Sequence, residues 1–210
     1  MDYEIKLLKG GTDNCYLVTD GTNAILVDTS SGESRDMVMD ACGKYDLKLV
    51  VLTHPHFDHA ENSAAISEKF GVPVAYHKAD DAVFDSYDSQ PLKSYGLVGF
   101  VVLQMSLKVL RQTKVERPSS CFFVSEGDDL AEYGFPDVKV IGLPGHTAGS
   151  IGLLVQEHSL IAGDALDNWL TPAMGHLYAD LDAMKSTYAK IRALGPRTIY
   201  YGHGKPTVQK

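Results

Sequence analysis

The chain has 210 residues, 44% of them apolar and 22% charged, with a formal net charge of −8. That length suits one large domain with a substantial core, and the composition is that of an ordinary globular protein. The acidic balance speaks against a phosphate-backbone partner, so no nucleic acid is expected, and the most apolar stretch (95–110) is interrupted by Gln104, Ser106 and Lys108 and is too short for a membrane span.

The opening MDYEIKLLKG lacks a basic segment followed by an apolar one, which predicts a cytoplasmic protein without a signal peptide. Its short apolar runs at 3–8, 14–19 and 23–29 read as strands joined by GGTD and DGT turns. Met37, Val38 and Ala41 recur at helical spacing within 31–45, and LKLVVL (47–52) reads as a buried strand. From Asp58 to Phe70 the pattern is helical, with Asp58 near the positive end of the helix dipole. VPVAY (72–76) is a further short strand.

Residues 78–118 change character and predict a helical insertion with irregular joins at Pro91 and Pro118. Strands return at 121–130, 138–143, 150–156 and 159–164, a helix follows over 180–194, and 197–204 closes with a strand and a turn. Two strand-rich halves, each with helices and with no linker between them, predict a layered α/β fold in one domain spanning 1–210. Cys15, Cys42 and Cys121 are odd in number and widely spaced, as expected of free thiols in a reducing compartment.

THPHFDHAEN (53–62) sets His54, His56 and His59 beside Asp58 at the end of a predicted strand. Crowded imidazoles repel on protonation unless a cation sits among them. His146, in LPGHTAGS, Asp164, in IAGDAL, and His203, in YYGHGK, also fall where an apolar run meets a glycine-containing turn. Glycine there lets backbone approach a site closely. Imidazole and carboxylate donors without thiolate suit zinc, with iron or manganese possible and calcium disfavoured. Seven donors exceed one tetrahedral zinc, and they divide into two sets of three plus a shared carboxylate, as in sites with two divalent metal ions about 3.5–4 Å apart.

The H-x-H-x-D-H run followed by G-H-T, G-D and a last G-H resembles the metallo-β-lactamase-fold hydrolase superfamily, and within it the glyoxalase II-like branch. The resemblance implies a four-layer αβ/βα sandwich with metals at one edge. It implies that His54, His56 and His146 hold one metal and that Asp58, His59 and His203 hold the other, with Asp164 bridging. Asp58 and Asp164 would orient a bridging hydroxide that attacks an ester-like bond (thioester, lactone or similar) of a small-molecule substrate. The secreted β-lactamases of the family lack this full ligand set, and its flavin-linked di-iron members carry Glu where His56 stands. Glyoxalase II itself follows the bridging Asp with basic residues, absent from GDALDNWLTPAMGHLYAD, and the quorum-signal lactonases place a Tyr where Asp167 aligns.

Two readings of another kind accompany this one: a mononuclear iron sulfur dioxygenase using part of the same ligands, and a metal-binding or interaction module without catalysis. Segment 85–118, with Tyr87, Tyr95, Phe100 and Met105, reads equally as a lid over the metals, a packing element or a face for a homo-oligomer. His176 and Tyr178 are candidate donors to a substrate oxygen, against a surface or packing role. Asp28, at a strand end, is a candidate partner that orients a ligand histidine, against a simple turn residue. Lys205 reads as a solvated lysine.

Overall fold

In the computed structural model, which describes residues 2–210, the first half builds β1 (Glu4–Lys9), β2 (Asn14–Thr19), β3 (Asn23–Val27), α1 (Arg35–Cys42), β4 (Asp46–Val51), α2 (Phe57–Ala60), α3 (Ser63–Phe70) and β5 (Val74–Tyr76). Short 3-10 turns (Lys78–Phe84, Tyr87–Ser89), β6 (Lys93–Ser94) and α4 (Gly96–Gln112) follow. The second half contains β7 (Cys121–Phe123), β8 (Asp129–Leu130), β9 (Phe135–Gly142), β10 (Ile151–Val155) and β11 (Ser159–Gly163). It ends with β12 (Leu166–Asp167), β13 (Ala173–Met174), β14 (Leu177–Tyr178), α5 (Leu181–Ala193), β15 (Arg197–Tyr201) and β16 (Thr207–Gln209).

Two six-stranded sheets form, in the orders β1-β2-β3-β4-β5-β7 and β16-β15-β11-β10-β9-β8. Strand alternation sends successive side chains to opposite faces. In the first sheet Tyr16, Val18, Ile25, Val27, Leu49 and Val51 point inward, meeting Val138, Val140, Leu153, Val155 and Ile161 of the second. Their sequence neighbours Cys15, Leu17, Ala24, Leu26 and Val50 pack outward with Val38, Cys42 and Ile66 of the helices α1 and α3. On the far side Leu143, Leu160, Ala162 and Ile199 pack with Ile191 of α5. The layers are therefore helix, sheet, sheet, helix, which is the expected αβ/βα sandwich. Burial on both faces explains why β2, β3 and β4 read as near-continuous apolar runs.

Three predicted elements differ in detail. The single strand over 121–130 is two, β7 in the first sheet and β8 at the edge of the second. Between them the chain crosses sheets through a turn in which Asp128 Oδ2 accepts from Ser125 N (2.8 Å) and Gly127 adopts φ +96°. The helix over 58–70 is broken at Glu61–Asn62, because buried Asn62 donates through Nδ2 to the carbonyls of Thr29 and Ser31, 2.8 Å from each. Within 78–118 only α4 is α-helical, and 3-10 turns and β6 fill the part around Pro91, which has no N–H for a helix ladder. Among the described residues no helix is long and apolar enough to cross a membrane.

Candidate metal centre

The site lies where strands from both sheets end. His54 follows β4, His146 follows β9, Asp164 follows β11 and His203 follows β15. His56 caps the N-terminus of α2, whose first turn carries Asp58 and His59. These seven side chains converge. Donor atoms within 4.8 Å of one another group as His54, His56 and His146, as Asp58, His59 and His203, and as His54, His59 and Asp164. Asp164 also links the sets: its oxygens stand 3.5 Å from His59 Nε2, 3.7 Å from His146 Nε2 and 3.5 Å from His203 Nε2.

Four of the five imidazoles are aimed by a hydrogen bond from the nitrogen turned away from the cluster, the arrangement by which metal-binding histidines are fixed in tautomer and direction. His59 Nδ1 donates to Asp28 Oδ2 (2.9 Å), His146 Nδ1 to the Leu177 carbonyl (2.9 Å) and His203 Nδ1 to the Thr12 carbonyl (2.9 Å). His54 Nδ1 donates to Thr53 Oγ1 (3.1 Å), which itself donates to Asp28 Oδ2 (2.8 Å). His56 presents Nδ1 instead, 2.9 Å from His146 Nε2.

Asp28 accepts from His59 directly and bears on His54 through Thr53, so one carboxylate contacts the supports of two histidines. Its backbone is in the left-handed region (φ +58°), uncommon for a side chain with a Cβ. That sharp turn after β3 lets its carboxylate also accept from Thr53 N (2.7 Å). Asp28→Asn keeps the shape but weakens acceptance from His59 and Thr53. Metal affinity is expected to fall about 10–100-fold, measured by titration against a competing chelator, and an unchanged affinity would remove Asp28 from this role.

The charges of the site follow its donors. Burial depresses His54, helped by repulsion from His59, His146 and His56, and the same effects bring His56 down to about 3. Burial alone would raise the two acids. His59 and His203 outweigh it, lowering Asp58 to about 2 and Asp164 well below the usual carboxylate range. Burial likewise opposes protonation of His59, but Asp164, Asp28 and Asp58 prevail and raise it to about 10; Asp164 and Asp58 also raise His203.

Three buried atoms of the cluster, His54 Nε2, His59 Nε2 and Asp164 Oδ1, have no hydrogen-bond partner. Such orphans are costly in a folded interior. A set of converging imidazole and carboxylate donors that lacks protein partners fits divalent metal, and it fits zinc, iron or manganese better than calcium.

The glycines act as the sequence suggested at two of the three turns: a Cβ on Gly163 (φ +54°) would lie 2.6 Å from Thr53 Oγ1, the hydroxyl bonded to His54. A Cβ on Gly202 would lie 2.0 Å from Asp164 Oδ1, so only glycine lets β15 end against the carboxylate. Gly145 serves packing instead: its φ is +137° and a Cβ would meet the α5 backbone at Met184, 2.4 Å away.

His176 and Tyr178 sit on the loop from Asp164 to α5. His176 Nδ1 and its backbone N (3.0 Å) both donate to Asp167 Oδ2, and its ring stacks on Tyr95 at 5.2 Å. Tyr178 directs its hydroxyl to the Ser94 carbonyl (3.4 Å), a contact between the loop and the insertion. Sequence reasoning missed Asp80, whose carboxylate accepts from Thr147 Oγ1 (2.6 Å) and Gly149 N (2.7 Å) and so fixes the turn bearing His146. It also missed Trp169, which stacks on His203 at 4.8 Å. Both partners are remote in sequence or lie in an irregular loop, where no spacing marks them.

Comparison with known proteins agrees with this geometry. The family model for the metallo-beta-lactamase superfamily matches residues 8–203. A probable metallo-hydrolase of Methanocaldococcus jannaschii is 29% identical over 161 residues, 75% of this chain and 68% of that protein. The hydroxyacylglutathione hydrolase GloC of Haemophilus influenzae is 27% identical over 169 residues, 79% of this chain and 72% of its own. Among solved structures, TTHA1623 in a di-iron-bound form superposes with a TM-score of 0.72 at 23% identity, covering 98% of this chain and 94% of that one. The chain belongs to the metallo-beta-lactamase superfamily and is a metal-dependent hydrolase of that family.

Proposed function

We propose that the chain is a binuclear hydrolase of an ester-like bond in a small molecule, working in the cytoplasm with zinc as its metal. The observation that carries this reading is the position of Asp164 between two three-residue groups, His54, His56 and His146 on one side and Asp58, His59 and His203 on the other. When bound, divalent metals supply Lewis acidity and lower the pKa of a water enough for attack near neutral pH.

The chain's own groups do the rest. Asp58 and Asp164 carry negative charge and accept hydrogen bonds from the attacking water, fixing the direction of its lone pair toward a carbonyl carbon. Their side chains retain 22% and 12% exposure, whereas His59 has none, so the acids face the side from which substrate arrives. His54, His56 and His146 are buried and leave that side open. The bonds of Asp28, Thr53, Thr12 and Leu177 hold the rings without reorganisation during reaction.

The test is elemental analysis of protein purified without added metal, followed by a panel of thioesters, lactones, esters and phosphodiesters. Two zinc ions per chain with hydrolysis of a carbonyl ester are expected. One iron per chain with oxygen uptake would replace this reading by a sulfur dioxygenase, and bound metal with no turnover on the panel would replace it by a binding module.

A further inference from the structure

The loop between Asp164 and α5 holds a second, separate pair of ionisable groups. Asp167 is 4% exposed, and its Oδ2 accepts from both the backbone N (3.0 Å) and ring Nδ1 of His176. Its other oxygen, Oδ1, is buried without a partner. Burying a carboxylate is expensive, more so with one oxygen unsatisfied, and the pair is retained for a single histidine. The Nδ1 bond commits the imidazole to the tautomer in which Nε2 is the free nitrogen. Tyr95, just before α4, stacks flat on the ring (10° between planes) and is itself pinned by donating from its hydroxyl to the Met174 carbonyl (2.7 Å). The His176 side chain nevertheless keeps 20% exposure, so the free edge is accessible.

Both sequence neighbours of His176 touch the metal ligands' own residues. The Leu177 carbonyl accepts from His146 Nδ1, and Gly175 lies so close to Asp164 that a Cβ there would be 2.1 Å from the Asp164 carbonyl. The ring is thus tied into the His146–Asp164 side of the centre while belonging to neither ligand group.

We propose that His176, positioned by Asp167, is the general acid that protonates the leaving oxygen of an alkyl ester or lactone. This rests on the hydrolase reading above and narrows its substrate class to oxygen esters with poorly acidic alcohols. Water adds its oxygen to the carbonyl carbon while its proton passes to the free Nε2 of His176; the carbon–oxygen bond to the alcohol then breaks, and the departing oxygen takes that proton from Nε2. His176 thus ends in the tautomer in which it began, and acid and alcohol form with no other reactant. Thiolates and phenolates leave without such help, because their conjugate acids are already acidic. An alkoxide does not, which is where a proton donor matters.

The experiment uses the metal-loaded full chain and its variants His176→Gln and Asp167→Asn, with esters of one acyl group graded from aryl to alkyl alcohols and the matching thioester. His176→Gln is expected to lose about 10²–10⁴-fold in kcat on the alkyl ester, but only a few-fold on the aryl ester and thioester, with metal content unchanged. Asp167→Asn is expected to show the same dependence with a smaller loss. Equal losses along the whole series, or none, would overturn the assignment while leaving the hydrolase reading intact. A wild-type chain inactive on every ester and thioester would overturn both.

Discussion

Replacing Asp164 by asparagine is expected to lower ester hydrolysis by about two to four orders of magnitude, the scale of several kcal/mol of lost charge stabilisation. The side chain keeps its size, so packing is spared and the change isolates the charge. Asp164 faces His59, His146 and His203 within 3.7 Å, and no other carboxylate among the described residues reaches both ligand groups. Metal content should fall below the wild-type value, because the donor that faces both groups has lost its negative charge. Steady-state kinetics and elemental analysis on the same preparations check the two parts together. Wild-type turnover in the variant would show that the reaction centre lies elsewhere.

Gly202→Ala should disable the same place by shape alone. The added methyl carbon would overlap Asp164 Oδ1 at 2.0 Å and approach His59 Cε1 at 2.8 Å. It cannot retreat easily, because Gly202 donates to the Gly163 carbonyl (3.0 Å) and accepts from Asn14 N (2.8 Å). The carboxylate must swing aside, and a displacement of about 1 Å at a reacting centre costs on the order of 10²-fold in rate. Overpacking should also cost about 1–3 kcal/mol of stability, read from denaturant melts. Gly11→Ala is the matching control, since a Cβ there meets nothing within 4 Å. Equal activity in the two variants would contradict the close approach of β15 to Asp164.

The predicted strands and helices were legible because their side chains obey short periods. Tyr16 and Val18 alternate with Cys15 and Leu17, and the structure sends the pairs to opposite faces of one sheet. Where the period failed, local chemistry had intervened: buried Asn62 interrupts the helix after α2, and the turn at Gly127 carries the chain from one sheet to the other. The insertion was legible as a change of texture but not as particular elements. Its apolar residues are largely on the surface of α4, where Leu97, Phe100 and Met105 are more than half exposed and impose no packing pattern.

The sequence alone marked the candidate donors, since His54, His56, Asp58, His59, His146, Asp164 and His203 are of metal-binding type and fall where apolar runs end. Strand ends are where a layered fold gathers its loops, so type and position sufficed. Tertiary structure alone decided how those donors are aimed. Asp28 reaches His59 across 31 residues, Thr12 reaches His203 across 191, and Asp80 reaches Thr147 across 67. It likewise joined His176 to Asp167 and Tyr95, turning an isolated histidine into an oriented one. Hydrogen bonds between remote segments depend on how two sheets pack, and no local spacing in the chain encodes that packing.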